Sequence, residues 1–198
     1  MTKSICAMPR RPDLSRTAFQ SYYERNHAPL AIQHFPFTRY VRNHLLDGND
    51  LPFDTISEFW AEDIAATAAL MHGPIGVVLR ADEEKFVNRP AIAPAGSDEH
   101  VLSKGVPGVE RSVTLVAADG ITDIRPALFQ WSREVAAAMP AVSLDLPASW
   151  GSNPFPAAAV LWSPEPPGAV PAALAGRIRH LRVRRCETPP EDLLGNRP

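Results

Sequence analysis

The stretch "PDLSRTAFQ", residues 12–20, returns 110 positions later as "TDIRPALFQ", residues 122–130. Asp13 falls on Asp123, Phe19 on Phe129 and Gln20 on Gln130, while Leu14 meets the apolar Ile124. The same offset lays "KSICAM" (3–8) on "VTLVAA" (113–118). Later, "FDTISEFW" (53–60) falls on "FPAAAVLW" (155–162), pairing Phe53 with Phe155 and Trp60 with Trp162. "EH" at 99–100 falls near "RH" at 179–180. Matches that keep one order along the chain mark a degenerate tandem repeat.

The first copy spells out what the repeated unit is. "KSICAM" reads as a strand, and "RRPDLSRTAFQSYYERNHAPLAIQHF" as a helix capped by Asp13 or Ser15. Two strands follow, "FTRYVRNHLL" (37–46) and "FDTISEFWA" (53–61), joined by a turn rich in Asp, Gly, Asn and Pro. "EDIAATAALMH" (62–72) reads as a second helix, with an acidic helical piece at 81–88, a Pro/Ala loop, and a strand near "EHVLSKG" (99–105). Strand, helix, strand, strand, helix, strand is the βαββαβ order of a ferredoxin-like unit. The fold class expected is therefore α+β. Two tandem ferredoxin-like units, 1–106 and 107–198, would form an intrachain pseudo-dimeric barrel, the second unit ending in a C-terminal tail. Each sheet buries one face under helices and needs cover for the other. Packing the two open faces together would enclose an apolar cavity between the sheets.

Composition sets the class. The chain has 198 residues, 45% of them hydrophobic, with a formal net charge of −2. That supports a packed core rather than disorder. The basic run "RIRHLRVRR" (177–185) carries no interleaved aromatics and reads as a solvated strand face, so no nucleic-acid partner is expected. No apolar run spans a bilayer, and "MTKSICAMPRR" lacks a signal-peptide core, so no membrane partner is expected. Cys6 and Cys186 make no metal or redox spacing and suggest a reduced, cytoplasmic setting. The 21 prolines cluster at 90–94, 140–156 and 164–171, which read as rigid connectors.

The halves differ where chemistry would sit. "FQSYYERNHAPL" becomes "FQWSREVAAAMP", so His27 faces Ala137 and the Tyr22–Tyr23 pair is lost. Along 37–46, Thr38, Tyr40, Arg42 and His44 share one face, and Arg39, Val41 and Asn43 the other. Along 53–61, Asp54, Ile56, Glu58 and Trp60 share a face, and Glu58 is answered by Val160 in the second copy. A side chain that exchanges protons near neutral pH, His27, and a lone carboxylate among apolar neighbours, Glu58, are the candidate catalytic pair. Tyr40, His44, Asn43 and Tyr22 are candidates to bind a substrate oxygen, with Trp60 as a flat wall. His27 and His34 lie about 10 Å apart along a helix, too far to share a metal, and no glycine-rich phosphate loop or nucleophile elbow is present, so neither metal nor cofactor is expected.

"RRPDLSRTAFQSYYERNHAPLA", "RYVRNHLL", "ISEFWAED" and "DEEKFVN", in this order over roughly residues 3 to 105, resemble the EthD family of small dimeric α+β barrel proteins. The shared pattern is a helix ending in Tyr/Trp-x-x-x-His-x-Pro, a Tyr-Val-x-Asn strand and a Glu-x-Trp strand. The resemblance implies a ferredoxin-like barrel and places His27, Pro29, Tyr40, Asn43, Glu58 and Trp60 on the family pattern. It also implies a connection to alkyl ether breakdown or to cofactor-free cyclases, dehydratases and decarboxylases of aromatic polyketides. The fused second half departs from single-unit members, leaving open a monomer with a pseudo-dimeric fold or a homodimer. The expectation is a cofactor-independent lyase, cyclase or isomerase acting by acid–base catalysis on a small, apolar, oxygenated aromatic or polyketide-like molecule. The alternatives are a non-catalytic small-molecule binding protein and a metal-free oxygenase on the same barrel.

Overall fold

The structure, a computed structural model, describes residues 2–117 and 121–197, with the backbone alone for 121–123. Asp123 and Ala118, two positions of the repeat, therefore lie outside the described side chains. Eight strands close into an antiparallel barrel in the order β1-β3-β2-β8-β5-β7-β6-β4, with β4 returning to β1. In chain order these are β1 (Lys3–Met8), β2 (Arg39–Leu45), β3 (Thr55–Trp60), β4 (Ala93–Val101), β5 (Glu110–Val116), β6 (Ser143–Ser149), β7 (Ala159–Ser163) and β8 (Ile178–Glu187). Helices α1 (Arg16–Tyr22), α2 (Ala28–Ala31), α3 (Ile64–Ala69) and α4 (Pro74–Glu83) cover the first half, and α5 (Ile121–Ala138) covers the second. No single helix among the described residues is long and apolar enough to cross a membrane.

Within the first half the strands lie β4-β1-β3-β2, and within the second β8-β5-β7-β6. β1 and β5 thus hold the same place in their four-strand runs, as do β3 and β7. The halves join through β2–β8 and β4–β6. Closure leaves no unpaired sheet edge.

Alternation assigns each strand a face that looks into the barrel and a face that looks out. Ile5, Ala7, Leu45, Ile56, Val113, Leu115, Val160 and Trp162 pack inside as a continuous core. Outside, Cys6, Met8 and Tyr40 meet Phe19, Tyr23, Leu79 and Phe86 under the first half's helices. On the second half, Leu144 and Leu161 meet Leu128, Trp131 and Val135 of α5. The chain end returns to the first half, where Leu193 is fully buried and Gly195 N–H donates to the Phe37 carbonyl (3.1 Å).

Three expectations about local structure are corrected. The strand expected at 99–105 begins at Ala93, because small residues carry it through Pro94 and Gly96. The acidic helical piece expected at 81–88 instead begins at Pro74 and ends at Glu83 as α4, with Pro74 in its first turn, where a missing N–H costs nothing. The proline cluster at 140–156 holds a strand, β6, and among the described residues the second half's second helix is reduced to the single turn Ala172–Leu174.

Candidate active site

The helix that carries His27 is interrupted rather than ended. Pro29 has no N–H to give the carbonyl four residues back, so the regular ladder fails there. Residues Tyr23–His27 instead form one wide π-type turn, in which the Ala28 N–H reaches back to the Tyr23 carbonyl. Such turns reset the helix phase. Here Tyr23 and His27 both end up buried, with ring centroids 5.2 Å apart.

They line a cavity of about 740 Å³ between the outer face of β1–β3 and helices α1–α4. Ser4, Cys6, Tyr40 and Phe59 supply the sheet side, and Ile64, Thr67, Met71, His72 and Glu83 the helix side. The size is that of a small-molecule site. Where a cavity was expected between the two sheets, the described residues pack a core that includes Ile5, Ile56, Val160 and Trp162.

At the floor His27 Nδ1 pairs with Asp82 Oδ2 at 3.0 Å, leaving Nε2 for the cavity. Asp82 also accepts from the Tyr22 hydroxyl (2.7 Å) and the Lys85 ammonium (3.3 Å). The hydrogen bond from His27 outweighs burial and, with Tyr22 helping, holds the Asp82 carboxyl at about 2. Its neighbour Glu83 goes the other way: burial pushes its carboxyl up despite His27 and Arg89 nearby. Two consecutive carboxyls, one fixed as a base-orienting anion and one biased toward its protonated form, suit proton transfer. Tyr40 donates to the Tyr23 hydroxyl (3.1 Å), which shares a 2.7 Å hydrogen bond with Ser57. Burial raises both phenols, so they stay protonated, and with Tyr40 donating to Tyr23 the Tyr23 proton is the one left for Ser57 or a substrate oxygen.

The structure therefore divides the residues singled out from the sequence. His27 and Tyr40 line the cavity, and Tyr22 stands behind His27 on Asp82. His44 faces outward but lies off the cavity, bonded to Thr55 (2.7 Å) and Glu24 (2.7 Å). Glu58, Asn43 and Trp60 point to the opposite, inner face. There the Lys3 ammonium contacts Asp145 (2.7 Å), Glu99 (2.8 Å) and Glu58 (2.9 Å). Arg111 pairs with Glu58 and Asn43, and the indoles of Trp60 and Trp162 donate to Glu99 and Asp145. The charges of Arg111 and Lys3 overcome burial and lower the Glu58 carboxyl, the reverse of what an acid catalyst needs. Its expected place beside His27 is corrected: the two sit on opposite faces of one sheet.

Among the described residues, two groupings have metal-ligand geometry. Glu58, Glu99 and Asp145 converge, with Lys3 already between them as the cation. Glu24, His44 and Cys186 also converge, with Glu24 held by Arg42 at 2.7 and 3.0 Å. Tyr23, Asp82 and Glu83 are the site residues that sequence reasoning passed over. The available signal was their helical spacing, with Asp82 and Glu83 inside the acidic run at 81–88 that read only as a helical piece.

Residues 11–90 match the family model described as EthD domain. The match lies within the first half of the chain. An ethyl tert-butyl ether D (EthD) family protein from Bacillus halodurans C-125 is 20% identical over 45% of this chain and 90% of its own, with a TM-score of 0.37. An anthrone oxidase-like protein shares the fold over 94% of this chain and 92% of its own at 12% identity, TM-score 0.55. A candidate monooxygenase from Lactobacillus acidophilus NCFM does so over 93% of each chain at 10% identity, TM-score 0.52. No match was found among curated proteins. These whole-chain likenesses establish an α+β barrel architecture. His27, Tyr22, Tyr23, Tyr40, Asp82 and Glu83 all fall inside the matched residues.

Proposed function

We propose that the chain is a fused pair of ferredoxin-like units, 1–106 and 107–198, of which the EthD-bearing first is a cofactor-independent acid–base enzyme. The strand orders β4-β1-β3-β2 and β8-β5-β7-β6 support the paired units. The substrate is a small, mostly apolar, oxygenated aromatic molecule. The observation that carries the reading is the His27–Asp82 pair opening onto an aromatic-walled cavity.

In this reading Asp82 fixes the proton on Nδ1, so that Nε2 takes a proton from a carbon or hydroxyl of the substrate. Tyr23, with Tyr40 donating to it from behind, holds the oxygen on which negative charge gathers, and Glu83 returns a proton. Decarboxylation, dehydration and aldol-type ring closure all need these elements and nothing more. General acid–base assistance of this kind is worth about 10² to 10⁴-fold. Glu58 and Asn43 are assigned to the inner charge cluster, Trp60 with them, and His44 to the support beneath Tyr23.

A second reading is metal-free oxygenation, favoured by the folds shared with an anthrone oxidase-like protein and a candidate monooxygenase. It uses the same first step, deprotonation of a phenol or enol at Nε2, and separates from the first by oxygen uptake. The test is His27→Gln with turnover and binding measured together on a panel of aromatic keto acids and phenols. Turnover falling about 10² to 10⁴-fold with binding retained supports the enzyme. Binding without turnover in the wild type, on any compound of the panel, makes it a binding protein.

A further inference from the structure

The second half was expected to lack site chemistry, and its own helix–sheet layer is filled by Leu128, Trp131, Val135, Leu144 and Leu161. Yet Trp150, Gly151, Ser152 and Asn153, from the loop after β6, line the cavity of the first half. The loop is tied down. Trp150 N–H donates to the Pro94 carbonyl (3.1 Å), and the Asn153 amide donates to the carbonyls of Ile92 (3.1 Å) and Pro90 (2.5 Å). At its base Phe155 N–H donates to Ser149 Oγ (2.9 Å).

Trp150 is unlike the other tryptophans. The indoles of Trp60, Trp131 and Trp162 donate to Glu99, the Ala169 carbonyl and Asp145 respectively. No such bond holds Trp150, which is 43% exposed and is the one aromatic among the large exposed apolar side chains of the described residues. A flat apolar ring held at a cavity mouth by a pinned backbone presents a face for another flat ring.

We infer that the second half completes the pocket and that Trp150 is its specificity-determining residue, selecting planar aromatic ligands by stacking at the mouth. This rests on the reading of the cavity as the substrate site. It refines the substrate: a polar end reaches the His27 floor while a ring lies at the rim, which favours a molecule of two or more fused rings.

The test uses 2-naphthol and its saturated analogue decahydro-2-naphthol as probes, titrated calorimetrically into the wild type and three variants. Trp150→Leu is expected to weaken 2-naphthol about 3- to 10-fold and to leave the saturated analogue nearly unchanged, while Trp150→Phe keeps most of the preference. Ala68→Trp, which fills the cavity from α3, is expected to abolish both. If Ala68→Trp abolishes binding but Trp150→Leu keeps the full preference for the planar probe, the inference falls and the cavity reading stands. If the wild type binds neither probe, or Ala68→Trp changes nothing, both fall. Circular dichroism of each variant confirms that it is folded before its binding is read.

Discussion

Replacing Lys3 by Met keeps the stem and removes the ammonium that three carboxylates share. Lys3 is 1% exposed and lies 2.7–2.9 Å from Asp145, Glu99 and Glu58. Arg111 still serves Glu58, but the cluster loses one positive charge in a dry interior. Breaking a buried ion pair costs about 3–5 kcal/mol. The loss has a ceiling, because a stranded carboxylate can take a proton instead. From a reference value near 4.3, that costs about 4.4 kcal/mol at pH 7.5 and about 1 kcal/mol at pH 5. In the variant the folded protein therefore binds a proton that the unfolded chain does not. Its stability falls as pH rises through this window. Urea unfolding of Lys3→Met is expected to show a deficit of about 4 kcal/mol at pH 7.5, shrinking to about 1–2 kcal/mol at pH 5. A deficit under about 1 kcal/mol at pH 7.5, or one that does not shrink on acidification, would refute the picture of a dry, mutually dependent charge cluster.

Gly76 lies against the turn before α4, where an added Cβ would stand 1.9 Å from the Met71 carbonyl oxygen. Gly76→Ala is expected to lower stability by about 1–3 kcal/mol in thermal melts and to weaken 2-naphthol, since Met71 and His72 would move with the turn. Burial raises the Glu83 carboxyl, so the folded state holds its proton more tightly than the unfolded chain and stability is lost as pH rises through that window. Glu83→Gln, which cannot ionise, is expected to gain stability relative to the wild type between pH 4 and pH 7 in parallel urea titrations. The same variant should lose turnover, whereas the wild type's turnover falls with rising pH as Glu83 ionises.

Much of the barrel was legible because strand alternation survives along the chain. Strands β1, β2, β3 and β8 carry branched and aromatic residues at period two, and the Ser15 cap and the spacing of Phe19 and Tyr22 announce the first helix. Strands β4 and β6 were hidden by Pro94, Gly96 and Pro147, which suit a strand only in a context the local pattern does not reveal. The side of the sheet that holds the site was the larger gap. Alternation separates Tyr40 from Asn43 and Ser57 from Glu58, but it does not say which face keeps a hollow. Tertiary packing decides that: α1, the π-type turn and the bent α3–α4 pair stand off β1–β3 and leave room, whereas the barrel interior fills with Ile5, Ile56, Trp162 and the charge cluster. Glu58 was correctly marked as buried and unusual, yet what answers it is Lys3 and Arg111 rather than a substrate.

The most direct test is the ring of His27 itself, followed by long-range proton–nitrogen NMR of protein labelled at histidine nitrogens. In the neutral ring the proton is expected on Nδ1, facing Asp82, with a bare Nε2 that shifts when 2-naphthol is added; Asp82→Asn should abolish that preference together with turnover. A proton resident on Nε2 in the wild type, or a ring whose signals ignore both Asp82→Asn and the probe, would contradict the account.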